Sequence, residues 1–273
     1  MKFAVHTFYY IHNGFETMLR SLREANICRI ELYANAPHLC EMYPYTPAQR
    51  AALLDERAAQ LRYYGIEVPC IFAPTNDSPV NIADENPEVR TFSIGFVLRL
   101  IEDAARLGSC GVLIDSGWGL TDHDRAAAWA RSAQALRQLG AYAQEQGVEL
   151  YLRAAGQNTN LVSDLASLRQ VLAEVDSPAL KACADLGLLA QNEQAEDYFR
   201  TFGGRLGYVR LPNFGPAGEL VDGKGLERVR ALQALAGTYR YDGTAAIEIG
   251  WERLDAPHPA SCALAHALPE VSE

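Results

Sequence analysis

Short apolar runs alternate with longer segments in which apolar residues recur every three or four positions, and this alternation repeats eight times. The runs over 3–8, 29–33, 67–72, 111–115, 149–153, 180–185, 207–211 and 244–249 predict strands. The amphipathic patterns over 14–25, 47–64, 88–107, 123–146, 164–174, 195–202, 226–235 and 260–268 predict helices. Eight strand-then-helix units in 273 residues predict an α/β fold, a (β/α)8 TIM barrel forming a single domain over 1–273. A doubly wound sheet is the main rival.

Local punctuation agrees with these boundaries. Thr46-Pro47 reads as an N-cap followed by proline at the first helical position. Gly65, Gly108, Gly140 and Gly147 fall where helices should end, in the role of left-handed C-caps. Proline- and glycine-bearing loops follow four strands, over 35–38, 74–79, 116–119 and 212–216. In a barrel these loops share the C-terminal face, where active sites are built.

Composition narrows the function classes. The formal charge of -10 speaks against nucleic acid, whose phosphates need clustered Lys and Arg. No apolar run reaches the roughly 18 residues a membrane span needs, so a cytoplasmic location away from membranes is expected. The six cysteines are scattered without a C-x-x-C pair and read as reduced, mostly buried thiols. No G-x-S-x-G elbow and no phosphate-loop fingerprint appears.

Several segments then carry a resemblance. These are Ile30-Glu31-Leu32-Tyr33-Ala34 with Pro37-His38, Asn81 with Arg90, and the helix end Ala104-Ala105-Arg106-Leu107-Gly108. Further on come Asn160-Leu161-Val162-Ser163-Asp164, Ser177-Pro178-Ala179-Leu180 leading to Asp185, and Tyr241-Asp242-Gly243 before Ile247-Glu248. In order and spacing they resemble the xylose-isomerase-like TIM barrels, the sugar isomerase and epimerase superfamily that also holds the family-2 AP endonucleases. The endonuclease branch is set aside, because its histidine-rich metal cluster and basic DNA-binding face are both missing.

The resemblance implies a divalent metal held by a glutamate on strand five, an aspartate on strand six, a histidine on strand seven and a glutamate on strand eight. Carried over residue by residue, the aspartate is Asp185 and the last glutamate is Glu248. The other two positions hold Arg153 and Arg210, Leu188 replaces the family's substrate histidine, and Asn213 stands where an acidic residue usually follows strand seven. Arginine stays protonated and offers donors only, so it cannot ligate a cation. Two unit charges about 4 Å apart interact by about 4 kcal/mol at an effective dielectric near 20, and a divalent ion doubles that opposition. No cofactor is therefore expected, and manganese or zinc is the alternative the resemblance leaves open. His6 and Glu31, on other strand ends, are the residues around which a shifted metal site would form.

Two guanidinium groups bridging Asp185 and Glu248 would make an internal salt-bridge plug. The alternative is that they face a ligand, with Glu248 as a general base, Asp185 orienting an arginine, and Arg153 or Arg210 stabilising an oxyanion. His6, His38, Trp118, Asn213, Lys224 and Trp251 are the candidate substrate contacts, with packing under loops as the competing role for Trp118. Tyr9 and Tyr10 are weighed as further lining groups. The function expected is proton transfer next to the carbonyl of a small carbohydrate or keto-acid, in a chain that forms a homo-oligomer as family members often do. The alternative is an inactive barrel that binds a sugar or serves as a partner subunit.

Overall fold

The structure is a computed structural model that describes residues 1–39, 45–77, 79–211, 223–249 and 254–272. Eight parallel strands close a barrel in chain order: β1 (Lys2–His6), β2 (Arg29–Tyr33), β3 (Glu67–Phe72), β4 (Gly111–Ile114), β5 (Glu149–Arg153), β6 (Leu180–Asp185), β7 (Leu206–Leu211) and β8 (Thr244–Ile247). The helices surround it: α1 (Phe15–Glu24), α2 (Pro47–Tyr64), α3 (Pro87–Leu107), α4 (Arg125–Gln146), α5 (Leu165–Val175), α6 (Ala195–Phe202), α7 (Gly223–Thr238) and α8 (Pro257–Ala267). The predicted (β/α)8 barrel is thus the observed one, and the doubly wound alternative falls because β1 pairs with β8.

Local chemistry sets these boundaries. α2 opens on a capping box in which the Thr46 side chain accepts from Gln49 N while Gln49 answers at the cap, with Pro47 next in line. Gly65, Gly108 and Gly147 close their helices with positive φ of 62°, 72° and 69°, a conformation glycine enters without strain. Gly140 differs from expectation. It lies inside α4, and a Cβ there would come within 2.6 Å of Ser177 Oγ, so its role is close packing.

The first strand ends two residues earlier than its apolar run. Thr7–Tyr10 turn into a 3-10 helix that buries Tyr9 and Tyr10, and both hydroxyls bond Ser261 at 2.7 and 2.9 Å. Tyr10 also bonds Ser21 at 2.6 Å. These tyrosines are therefore structural anchors between β1, α1 and α8.

Most of the core lies between barrel and helices. Inside the barrel a smaller layer holds Cys70, Leu113, Tyr151, Cys183, Tyr208 and Ala246. Tyr151 and Tyr208 stack there with centroids 5.0 Å apart and planes 10° apart. Gly207 makes room for the stack, since a Cβ on it would sit 2.7 Å from the Tyr151 ring. Beneath lies a pit of about 320 Å³ at the N-terminal end, lined in part by Glu149, Lys181, Gly207 and Tyr241. Above the layer the register sets His6 beside Glu31 and Asp185 beside Arg210.

Candidate active site

Strand ends bring four carboxylates and two guanidinium groups into one buried network. Arg153, closing β5, donates from Nε to Asp115 Oδ1 at 2.7 Å, from Nη2 to Asp115 Oδ2 at 3.3 Å and from Nη1 to Asp185 Oδ2 at 2.9 Å. Arg210 on β7 donates from Nη1 to the same Asp185 oxygen at 3.0 Å. Its Nε reaches both oxygens of Glu31, at 3.0 and 3.2 Å, and its Nη2 reaches Glu248 Oε2 at 3.3 Å. Both guanidinium groups also lie over Phe72, with Cζ 5.1 Å and 4.6 Å from the ring centroid for Arg153 and Arg210.

Loop contacts fix these ends. Thr75 donates to Asp115 Oδ2 at 3.0 Å and accepts from the Asp115 backbone at 2.8 Å, tying the β3 loop to the end of β4. Leu186 N donates to Arg210 O and Glu248 N to Leu211 O, which extends the ladder past the formal ends of β6 and β8. Asp185 also accepts from Gly187 N at 3.2 Å.

The electrostatics follow from burial set against pairing. Burial alone would discharge Arg153, but Asp115 and Asp185 hold its pKa above the ordinary arginine value. Arg210 behaves alike, with burial outweighed by Glu31, Asp185 and Glu248. Burial pushes the Asp185 carboxyl up, yet Arg210 and Arg153 bring it below its usual range. Glu31 is likewise lowered: Arg210 and His6 together outweigh its burial. Glu31 and Asp185 are thus both held on the ionised side.

The plug of two arginines against Asp185 and Glu248 is enlarged: Arg210 bridges those two carboxylates, and Asp115 and Glu31 join them. Arg153 reaches Asp115 and Asp185, and only Arg210 reaches Glu248. Counted formally, four carboxylates face two guanidinium groups, so acids outnumber arginines by two in this network. Nor is the family's metal compatible with this donor set, because donors-only guanidinium groups hold two of its four positions. Among the described residues no three His, Cys, Asp or Glu side chains are grouped to hold a metal ion.

A cavity of about 410 Å³ opens over the network at the C-terminal mouth. Its chemical lining is His6, Asp77, Asp115, Arg153, Asn158 and Glu248, with aromatic walls from Phe8, Tyr33 and Phe72. Asp115 is spent on Arg153 and Thr75. Among the described residues the Glu248 side chain makes a single bond, at 3.3 Å, and is the least committed carboxylate of the network. Sequence reasoning missed Asp115, Asp77, Tyr33, Phe72, Phe8 and Asn158. Of these, Asp115 carried a readable signal, an acid directly after an apolar strand.

The other candidates stand apart from this cavity or outside the description. His38 is 2% exposed, Nε2 sits 2.9 Å from the Asn13 carbonyl, and its ring meets Phe15 edge-on. Burial pulls its pKa down to about 4, and the ring packs away from the cavity lining. Trp118 is held by Asn81, which accepts from its backbone N and donates to its carbonyl, both at 3.0 Å, and its ring does not line the cavity. Lys224 begins α7, and only its backbone is described. Asn213 and Trp251 lie outside the described residues.

Residues 19–267 match the family described as xylose isomerase-like TIM barrel, and the chain belongs to that family. Among solved structures it is similar to D-psicose 3-epimerase from Clostridium cellulolyticum H10, crystallised with D-tagatose. The TM-score is 0.77, with 16% identity over 99% of each chain. It is equally similar in fold to 3-keto-D-glucoside 4-epimerase from E. coli, with a TM-score of 0.77 and 17% identity over 98% of each chain. A xylose isomerase-like barrel protein from Mycobacterium smegmatis, solved in complex with magnesium, gives a TM-score of 0.69 and 18% identity over 99% of this chain and 96% of that one. No curated protein matches the chain in sequence.

Proposed function

We propose that this protein catalyses proton transfer next to the carbonyl of a small carbohydrate, as a sugar isomerase or epimerase, without the divalent metal used elsewhere in its family. The observation that carries this reading is Glu248, a weakly committed carboxylate facing a cavity beside the fully ionised Arg153. Arg153 has five N–H donors and spends three hydrogen bonds on Asp115 and Asp185. Its remaining donors have no partner among the described residues and can meet a carbonyl oxygen, where guanidinium stabilises the negative charge that develops on deprotonation. Asp115 and Asp185 hold that group in place, so little reorganisation accompanies the reaction. Glu248 then takes the carbon-bound proton as general base.

The charge surplus favours a neutral carbohydrate over a keto-acid, because a second carboxylate would meet Asp77 and Glu248 in the same cavity. The epimerases of similar fold act on sugars, which supports the same substrate class here.

Solvent-deuterium exchange tests the proposal. Protein treated with a chelator is incubated in D2O with D-fructose, D-tagatose or D-psicose, and proton spectra follow the positions beside the carbonyl. Exchange that survives chelation and falls at least about 100-fold in Glu248→Gln is expected. Exchange that appears only on adding manganese or magnesium would overturn the metal-free reading. No exchange with any sugar would overturn the enzymatic one.

A further inference from the structure

We infer that His6 is a second catalytic residue of this site, moving a proton between substrate oxygens, and that Glu31 is its positioning residue; the inference rests on the proton-transfer reading above. His6 closes β1, is 2% exposed and lines the cavity. Its Nδ1 lies 2.7 Å from Glu31 Oε1, an ion-pair contact set off the line of a directed hydrogen bond. Glu31 is fully buried and is itself gripped by Arg210 through both oxygens. The imidazole plane is fixed by neighbours on several sides: Phe8 parallel at 6.4 Å, Tyr33 and Phe72 edge-on at 5.5 and 5.4 Å.

With Nδ1 turned to Glu31, Nε2 points to the opposite edge of the ring and has no protein partner among the described residues. A side chain needed only to fill this aromatic corner would not require one nitrogen against a buried carboxylate and the other turned to a cavity. That arrangement sets a buried carboxylate at one edge of the ring and the cavity at the other, the geometry of a group that relays a proton at Nε2.

The position relative to Glu248 gives His6 its task. Val5 pairs with Ile247, so the next residues, His6 and Glu248, stand at one level on neighbouring strands, and both line the cavity. In a ketose, Glu248 breaks the C–H bond beside the carbonyl and forms its own O–H. The electron pair moves to the carbonyl oxygen, which lies against Arg153. His6 Nε2 then takes the proton of the neighbouring hydroxyl and delivers it to the former carbonyl oxygen. Glu248 returns its proton to the former carbonyl carbon, completing a ketose-to-aldose isomerisation with atoms and charge balanced. A carboxylate on carbon and a histidine on oxygen is a division of labour suited to enediol chemistry. Two groups side by side serve transfer on one face, which favours isomerisation over epimerisation.

The test compares two rates in the full chain in D2O with D-fructose, D-tagatose and D-psicose: deuterium uptake at carbon and net formation of aldose. His6→Asn keeps a donor for Glu31 and removes Nε2, and it is expected to raise the ratio of carbon exchange to aldose formation about 100-fold. Glu31→Gln is expected to shift the same ratio in the same direction with KM held within a few-fold, which loss of structure alone would not do. Should one variant fail to fold, the other carries the test. An unchanged ratio in a folded variant overturns the role of His6 while the proposed function stands. A wild type that neither exchanges nor isomerises any of the three sugars overturns the proton-transfer reading and this inference with it.

Discussion

Arg153 grips Asp115 with a two-pronged fork, Nε to one carboxylate oxygen at 2.7 Å and Nη2 to the other at 3.3 Å, across the barrel from the point where Arg210 grips Glu31. The two forks meet at Asp185 Oδ2, which accepts from both arginines.

Removing one arm of such a network leaves buried charge without a partner. Arg153→Met should destabilise the protein by about 3–5 kcal/mol, since Asp115 and Asp185 lose their shared cation. Asp115→Asn in the same chain should recover part of that loss. Urea unfolding of the two single variants and the double variant measures the coupling.

Reversing the charge tests the strand-end alignment itself. Arg153→Glu with Arg210→His sets four family-type donors together with Asp185 and Glu248. Elemental mass spectrometry after growth with manganese and zinc should show near-stoichiometric metal in the double variant and none in the parent. A double variant that stays metal-free would mean these strand ends do not converge as described.

Stability should fall in acid in two stages. His38 titrates at about 4 in the folded chain against an ordinary 6.5. The unfolded chain therefore binds the extra proton first, and stability is lost as pH falls from about 6.5 toward 4, by at most about 3 kcal/mol. Glu31 and Asp185 have lowered pKa values, so their contribution is present above the unfolded carboxylate range near 4 and is lost as pH drops through the folded values. Thermal melts of wild type and His38→Gln across pH 7 to 3 separate the stages. The variant should show a flatter upper stage and an unchanged lower one.

Thiol reactivity should separate four of the five described cysteines, with the part-buried Cys28 falling between the two groups. Cys110 and Cys262 are exposed, although partial burial also raises the Cys110 thiol, while Cys70 and Cys183 lie in the barrel interior, where burial pushes their pKa up further. An aromatic disulfide reagent at pH 8 should label Cys110 and Cys262 within minutes. Cys70 and Cys183 should react only after unfolding, as peptide mapping would show.

Periodicity alone carried the barrel, since β2, β3, β5 and β6 fall on their apolar runs residue for residue. The strand ends carried half the site: Arg153, Asp185, Arg210 and Glu248 do converge. What the sequence hid was who faces whom across a closed barrel. Asp115 and Glu31 are 38 and 179 residues from the arginines they satisfy, and no spacing rule joins such positions. His38 and Trp118 sit away from the cavity lining, which the sequence hid for another reason. A loop histidine or tryptophan reads the same whether it meets a ligand or a neighbouring backbone, and here Asn13 and Asn81 are the partners.

The Tyr151–Tyr208 stack acts as a bulkhead. It divides the barrel bore into two compartments, the mouth above and the pit of about 320 Å³ below. The arginine layer lies on the mouth side of the stack, so the cavity of about 410 Å³ is the approach that the described residues offer it. The bore thus behaves as a dead-end chamber, in which a molecule closing the mouth would also isolate the charges beneath it.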